Sequence, residues 1–132
     1  MIYLPDTNAW VAYLNPGPSS VKDNFRSQRL ADIAFCSVVK AELLFGAYRS
    51  ARIEANLGLL KAVFQEFRSL PFDDAAAEIC GRLRADLAAR GTPIGPNDLM
   101  IASIALAHDV ILVTHNTREF SRVIGLRLAD WA

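Results

Sequence analysis

The chain has 132 residues, 52% hydrophobic and 21% charged, and its 14 basic and 14 acidic side chains cancel to zero net charge. That make-up suits one globular domain with a single core, and it excludes a helical membrane protein, because no apolar run nears the ~20 residues of a span. Neutrality does not exclude a nucleic-acid partner: eleven cations are arginines, six of them at positions 82, 84, 90, 118, 122 and 127, and carboxylates engaged with a metal would leave a positive remainder.

Met1 to Leu4 is a short apolar run that reads as a buried strand, and it stops at Pro5-Asp6. Proline cannot donate a ladder hydrogen bond, so Pro5 suits the last strand position. Thr7 or Asn8 is expected to cap a helix from about Ala9 to Leu14. Asn15 to Ser20 is a turn, and a helix from about Val21 to Arg29 buries Val21 and Phe25. Ile33 to Cys36 is a second strand. Ser37 then caps a helix that closes near Gly46, with Val38, Ala41, Leu44 and Phe45 expected on its inner side. Between Ser50 and Phe67, Ile53, Leu57, Leu60, Phe64 and Phe67 recur at steps of four and three, the stripe of an amphipathic helix. Leu59 and Val63 widen that stripe toward a partner groove.

Leu70 to Phe72 is a brief edge strand. Asp73 or Asp74 opens a helix to about Arg90 with Ile79, Leu83 and Leu87 inward. Gly91 to Pro96 is a rigid loop, and Asn97-Asp98 starts a helix to about His108 that is apolar nearly all round and therefore central. Val110 to Val113 is the clearest strand, ending in Thr114-His115-Asn116. A helical turn at Arg118 to Ser121 and a strand at Leu126 to Leu128 complete the domain. Strands alternating with helices predict an α/β fold with parallel pairing. Strand-like sequence from residue 2 leaves no signal peptide, so the expected address is cytoplasmic. Cys36 and Cys80, far apart in apolar surroundings, read as free thiols of a reducing compartment.

Four acidic positions fall at matching places in this pattern. Asp6 closes the first strand, Glu42 sits among Ala41 and Leu43-Leu44-Phe45 on the helix after the second, Asp98 lies in the first turn of the most buried helix, and Glu119 follows the late strand together with Asn116. Ligands collect beyond the carboxyl ends of parallel strands, and a glutamate among apolar neighbours needs a partner. Each has a plainer reading as well. Asp6 and Asp98 can be helix caps, Glu42 can point to solvent near Arg49 or Arg52, and Glu119 can be a surface residue. Together, oxygen ligands without cysteine or paired histidines suit Mg²⁺ or Mn²⁺, and metals so held act on phosphate esters.

Asp6-Thr7-Asn8, Glu42, Pro93-Ile94-Gly95-Pro96-Asn97-Asp98, Thr114-His115-Asn116-Thr117-Arg118-Glu119-Phe120, Arg122-Val123-Ile124-Gly125-Leu126 and Asp130-Trp131 occur in an order that resembles the PIN-domain ribonucleases, specifically the VapC toxins of VapBC type II toxin–antitoxin pairs. The likeness covers essentially the whole chain. It implies one PIN domain over residues 1–132, a three-layer α/β/α sandwich around a mainly parallel sheet of about five short strands. It implies a Mg²⁺-dependent endoribonuclease, with Mn²⁺ as substitute, leaving a 5′-phosphate and a 3′-hydroxyl. By resemblance the catalytic residues are Asp6, Glu42, Asp98 and Glu119, the metal ligands Asp6, Asp98, Glu42 and Asn116, and the RNA contacts Thr7, Asn8, Arg84, Arg90 and Arg118. The implied partners are RNA, with transfer RNA as the target in the branch ending Thr-Arg-Glu-Phe, a VapB-like antitoxin whose C-terminal segment occupies the acidic groove, and a second copy in a homodimer.

Two departures stand out. Pro5 replaces the usual aliphatic residue, and Asn116 is neutral where many PIN domains carry Asp, so either Asn116 or Glu119 completes the site. His115 has no role in this reading. A PIN module that binds RNA or a partner without cutting is the alternative. An aspartate-nucleophile phosphatase lacks its second aspartate at Asn8, a phosphotransfer receiver lacks its late strand-end lysine, and a dinucleotide-binding domain lacks its glycine-rich first turn.

Overall fold

Five strands, each two or three residues long, carry the architecture of the computed structural model, which describes residues 1–132: β1 (Tyr3–Pro5), β2 (Ala34–Cys36), β3 (Arg68–Leu70), β4 (Ile111–Val113) and β5 (Leu128–Ala129). Between them run α1 (Thr7–Leu14), α2 (Ser20–Arg26), α3 (Ser37–Tyr48), α4 (Ile53–Glu66), α5 (Asp74–Ala89), α6 (Pro96–Ala107) and α7 (Thr117–Phe120). Every pairing is parallel. β4 lies between β1 and β5, β2 pairs with β3, and one bridge from Tyr3 to Ile33 joins the two ladders. The strands thus follow the order β3-β2-β1-β4-β5, and the expected five-stranded sheet is two short ladders joined at a single point.

β1 and β4 run in register, Tyr3 opposite Ile111 and Pro5 opposite Val113. The order of strands reverses between them, which is the point where open α/β sheets bind ligands. Pro5 is indeed the last residue of β1, and the next residue, Asp6, donates its own N–H to Val113 O at 2.8 Å.

The core is aromatic on the α1 side of the sheet. Trp10, fully buried, stacks on Phe35 at 3.7 Å between centroids and meets Phe25 and Phe67 edge-on at 5.0 Å. Such pairs add ~0.5–1.5 kcal/mol each beyond burial of their area. On the other side α6 fills the centre with Leu99, Ile101, Ala102, Ile104 and Ala105, as its apolar sequence predicts. No helix is long and apolar enough to cross a membrane. Cys36 and Cys80 are free, and burial pushes the Cys36 thiol up to about 11, which makes it inert.

Several local expectations are corrected. The cap of α1 is Asp6 itself, whose Oδ1 accepts from Ala9 N at 2.9 Å, and neither Thr7 nor Asn8. The strand expected at Leu70 to Phe72 lies at Arg68 to Leu70, because pairing with β2 fixes its register. The largest correction concerns α3. Its buried residues are Val38, Val39, Leu43 and Ala47, while Ala41 and Phe45 are exposed. The helix is apolar on several faces, so its sequence leaves its rotation open. Packing selects the Val39–Leu43–Ala47 row and turns the Glu42–Phe45 side outward.

Candidate active site

Two residues position Asp6. Its Oδ1 caps α1, and its Oδ2 accepts from the Thr114 hydroxyl at 2.7 Å. Thr114 is the first residue past β4 and is almost fully buried. Its Oγ1 also accepts from Asn116 N at 3.0 Å, so one hydroxyl ties the ends of β1 and β4 to the start of α7. Asp6 therefore caps α1 with one oxygen and binds the end of β4 with the other. Burial raises its pKa above the usual carboxylate range, the bonds from Thr114 and Ala9 oppose this, and Glu42 and Asp130 push it up further.

Glu42, half-buried on α3, is held by the Thr7 hydroxyl, which donates to its Oε1 at 2.7 Å. Neither Arg49 nor Arg52 pairs with it. Asp98 stands in the first turn of α6, whose cap is Gly95, so Asp98 is not the cap. Its carboxyl is pushed up to about 6, first by burial and then by the charges of Glu119, Glu42 and Asp6. These couplings place all four acids in one field.

Glu119, on α7, accepts from the Asn116 amide at 2.9 Å through Oε2 and from Gly95 N at 3.3 Å through Oε1. The two residues offered as alternatives for completing the site are thus bonded to each other. Glu119 also fastens the loop that leads into Asp98. Arg122 adds a second tie, donating to Pro93 O at 3.1 Å, and Arg90, paired with Asp86, donates to Arg122 O at 2.8 Å.

Of the residues expected at RNA, Asn8, Arg84 and Arg118 are exposed and make no ion pair within the chain. Thr7 is engaged with Glu42 and Arg90 with Asp86 and Arg122. The sequence reading missed three participants: Thr7 as the partner of Glu42, Thr114, and Asp130, which acts on Asp6 and holds the exposed His115 ring at 3.0 Å. A hydroxyl next to each strand-end acid was the available signal for the first two.

A divalent cation fits this donor set. The four acids offer hard oxygens, no lysine or arginine neutralises any of them, and their mutual repulsion needs positive charge between them. As the side chains stand, no three of them come close enough together to form a metal-holding group, so an ion there would rely on one or two carboxylates and on water. The cleft opens into a cavity of ≈380 Å³ bordered by Thr7, Ala41, Glu42, Phe45 and Asn97. An apolar groove of similar size continues from Thr7 and Glu42 between α1, α3 and α4, past Val11, Leu43, Leu59 and Leu60.

The family model of the PIN domain matches residues 3–126. The tRNA(fMet)-specific endonuclease VapC of Shigella flexneri is 39% identical over 130 residues, 98% of each chain. Ribonuclease VapC2 of Rickettsia felis is 37% identical over 99% of this chain and 98% of its own. Among solved structures, DNA-bound VapBC from Salmonella typhimurium superposes with a TM-score of 0.92 at 33% identity, covering 100% of this chain and 99% of that one. VapBC2 from Rickettsia felis, bound to a promoter DNA fragment, superposes at 0.90 with 37% identity and full coverage of both chains.

Proposed function

The chain belongs to the PIN-domain family, among its VapC ribonucleases, and from this we propose that it is the endoribonuclease toxin of a toxin–antitoxin pair. The observation that carries the reading is Asp6 at the β1–β4 switch, held by Thr114 and Ala9, with Glu42, Asp98 and Glu119 near enough for their charges to act on one another and no cation paired with any of them. Its antitoxin is a VapB-like protein, as in the VapBC complexes it superposes on, and the apolar groove beside Glu42 suits such a partner. The target is transfer RNA, a reading supported by the Shigella relative. The toxin acts in the cytoplasm as one PIN domain per chain and pairs with a second copy.

Asp6, Glu42 and Asp98 would hold Mg²⁺ or Mn²⁺, with Asn116 and Glu119 completing the site. When bound, the metal supplies Lewis acidity and lowers the pKa of its water, which is the chemistry that phosphodiester hydrolysis needs. The protein's part is positioning. Thr114 and Thr7 fix Asp6 and Glu42 in one rotamer each, and Glu119 fixes both Asn116 and the loop before Asp98. Asn8, Arg84 and Arg118 contact the RNA backbone, with Thr7 and Arg90 supporting from behind.

The test uses protein stripped of its antitoxin, incubated with transfer RNA and Mg²⁺ or Mn²⁺, beside Asp98→Asn and EDTA controls, with cut ends sequenced. Discrete cuts by the wild type alone, leaving 5′-phosphates, are expected. Intact RNA in every lane despite bound metal would favour a module that binds without cutting.

A further inference from the structure

Glu42 and Phe45 on α3 and Arg49, the residue that caps its C-terminal end, follow one another at steps of three and four, so they form a row on one face. Phe45 is 61% exposed, and its ring borders the same cavity as Thr7, Glu42 and Asn97. The guanidinium of Arg49 lies over that ring, with Cζ 5.3 Å from the centroid, and Arg49 has no carboxylate partner. An aromatic ring backed by a free cation thus stands one helical turn from a site acid.

A phosphodiester entering a cleft of carboxylates is repelled, so part of the grip on the strand must come from elsewhere. A flat apolar ring attracts the face of a nucleobase whatever its identity, and an adjacent arginine adds cation–π and phosphate attraction. An aliphatic side chain would find a better seat in the neighbouring groove at Val11, Leu43, Leu59 and Leu60. We infer that Phe45, backed by Arg49, is the stacking platform for an unpaired RNA base beside the bond that is cut. The inference rests on the ribonuclease reading and adds where the strand lies on it.

The test compares binding of a single-stranded oligoadenylate with that of an abasic oligomer of equal length, by fluorescence polarisation in EDTA. Wild type, Phe45→Ala, Phe45→Leu and Phe45→Trp are measured, and the exposure of Phe45 lets each variant fold, as circular dichroism checks. Wild type is expected to prefer the oligomer with bases by ~10-fold. The Ala and Leu variants lose that preference, while Trp keeps it. Arg49→Gln weakens both oligomers and lessens the salt dependence. Equal preference in wild type and Phe45→Ala, alongside normal cutting of transfer RNA by the wild type, overturns the platform and leaves the ribonuclease standing. Phe45→Ala that keeps the preference but escapes the antitoxin assigns the ring to the protein partner and also overturns it. A wild type that neither binds nor cuts RNA overturns both readings.

Discussion

The Thr114 hydroxyl donates to Asp6 Oδ2 across 108 positions of sequence, so the carboxylate that ends β1 is held by the residue that ends β4. Removing this one hydroxyl frees a buried acid and orphans Asn116 N. Thr114→Val should cost ~1–2 kcal/mol of stability, seen as a lower Tm, and cut the cleavage rate about tenfold. Because the lost bond favours the ionised form of Asp6, the acid limb of the pH–rate profile should move to higher pH. Thr114→Ser should restore both.

The Asp98 carboxyl, pushed up to about 6 by burial and by its acidic neighbours, is expected to cost the metal-free fold stability. Asp98→Asn removes a charge repelled by Glu119, Glu42 and Asp6. Melts in EDTA should show a gain of ~1 kcal/mol once solvent screening of this half-exposed group is allowed for. The same variant should lose nearly all activity and the rise in Tm that Mn²⁺ gives the wild type. A variant less stable than wild type in EDTA would contradict the electrostatic picture.

A pH series separates this effect from the ordinary carboxylates. In the fold Asp98 keeps its proton to about pH 6, but to only about 4 in the unfolded chain. The folded form therefore binds the extra proton, and metal-free stability falls as pH rises from about 4 to about 6. Asp32 and Asp130, held low by Arg29 and by the Ala132 N–H with His115, act oppositely but only at and below the ordinary range. Mn²⁺ should raise Tm above pH 6 and do little below 5, by mass action on the ionised site.

Asn116→Asp would set a second carboxylate against Glu119, its hydrogen-bond partner at 2.9 Å. Calorimetry should find tighter Mn²⁺ binding, by roughly tenfold, in a protein that melts lower in EDTA. Unchanged binding would mean that this position stands outside the coordination sphere.

Arg122 braces the loop before Asp98 through Pro93 O, and Arg127 makes a similar brace at Asp109, beyond the far end of α6. Each replacement by Met should cost a similar ~0.5–1.5 kcal/mol. Only Arg122→Met should weaken Mn²⁺ binding, measured without RNA, and Arg122→Lys should recover part of it.

The acids stand out as candidates in the sequence because three of them break an apolar pattern: Asp6 after Leu4-Pro5, Glu42 among leucines, Asp98 at the head of α6. The alternation of strands and helices likewise follows from sequence. What stayed hidden is set by long-range pairing. Thr7 and Thr114 acquire meaning only when Glu42 and Asp6 arrive from 35 and 108 residues away. The rotation of α3 is decided by its neighbours, and so Phe45, expected inside, lies outside. The three-residue β3 takes its register from β2.

The β1–β4 ladder also constrains when the protein can act. β1 is made well before its partner strand, Ile111–Val113, and before the hydroxyl that seats Asp6, at Thr114. Until most of the message has been translated, the leading aspartate has nothing to lie against, and contacts so distant in sequence form late. A chain that stops before Ile111 lacks both the strand that β1 pairs with and the hydroxyl that seats Asp6.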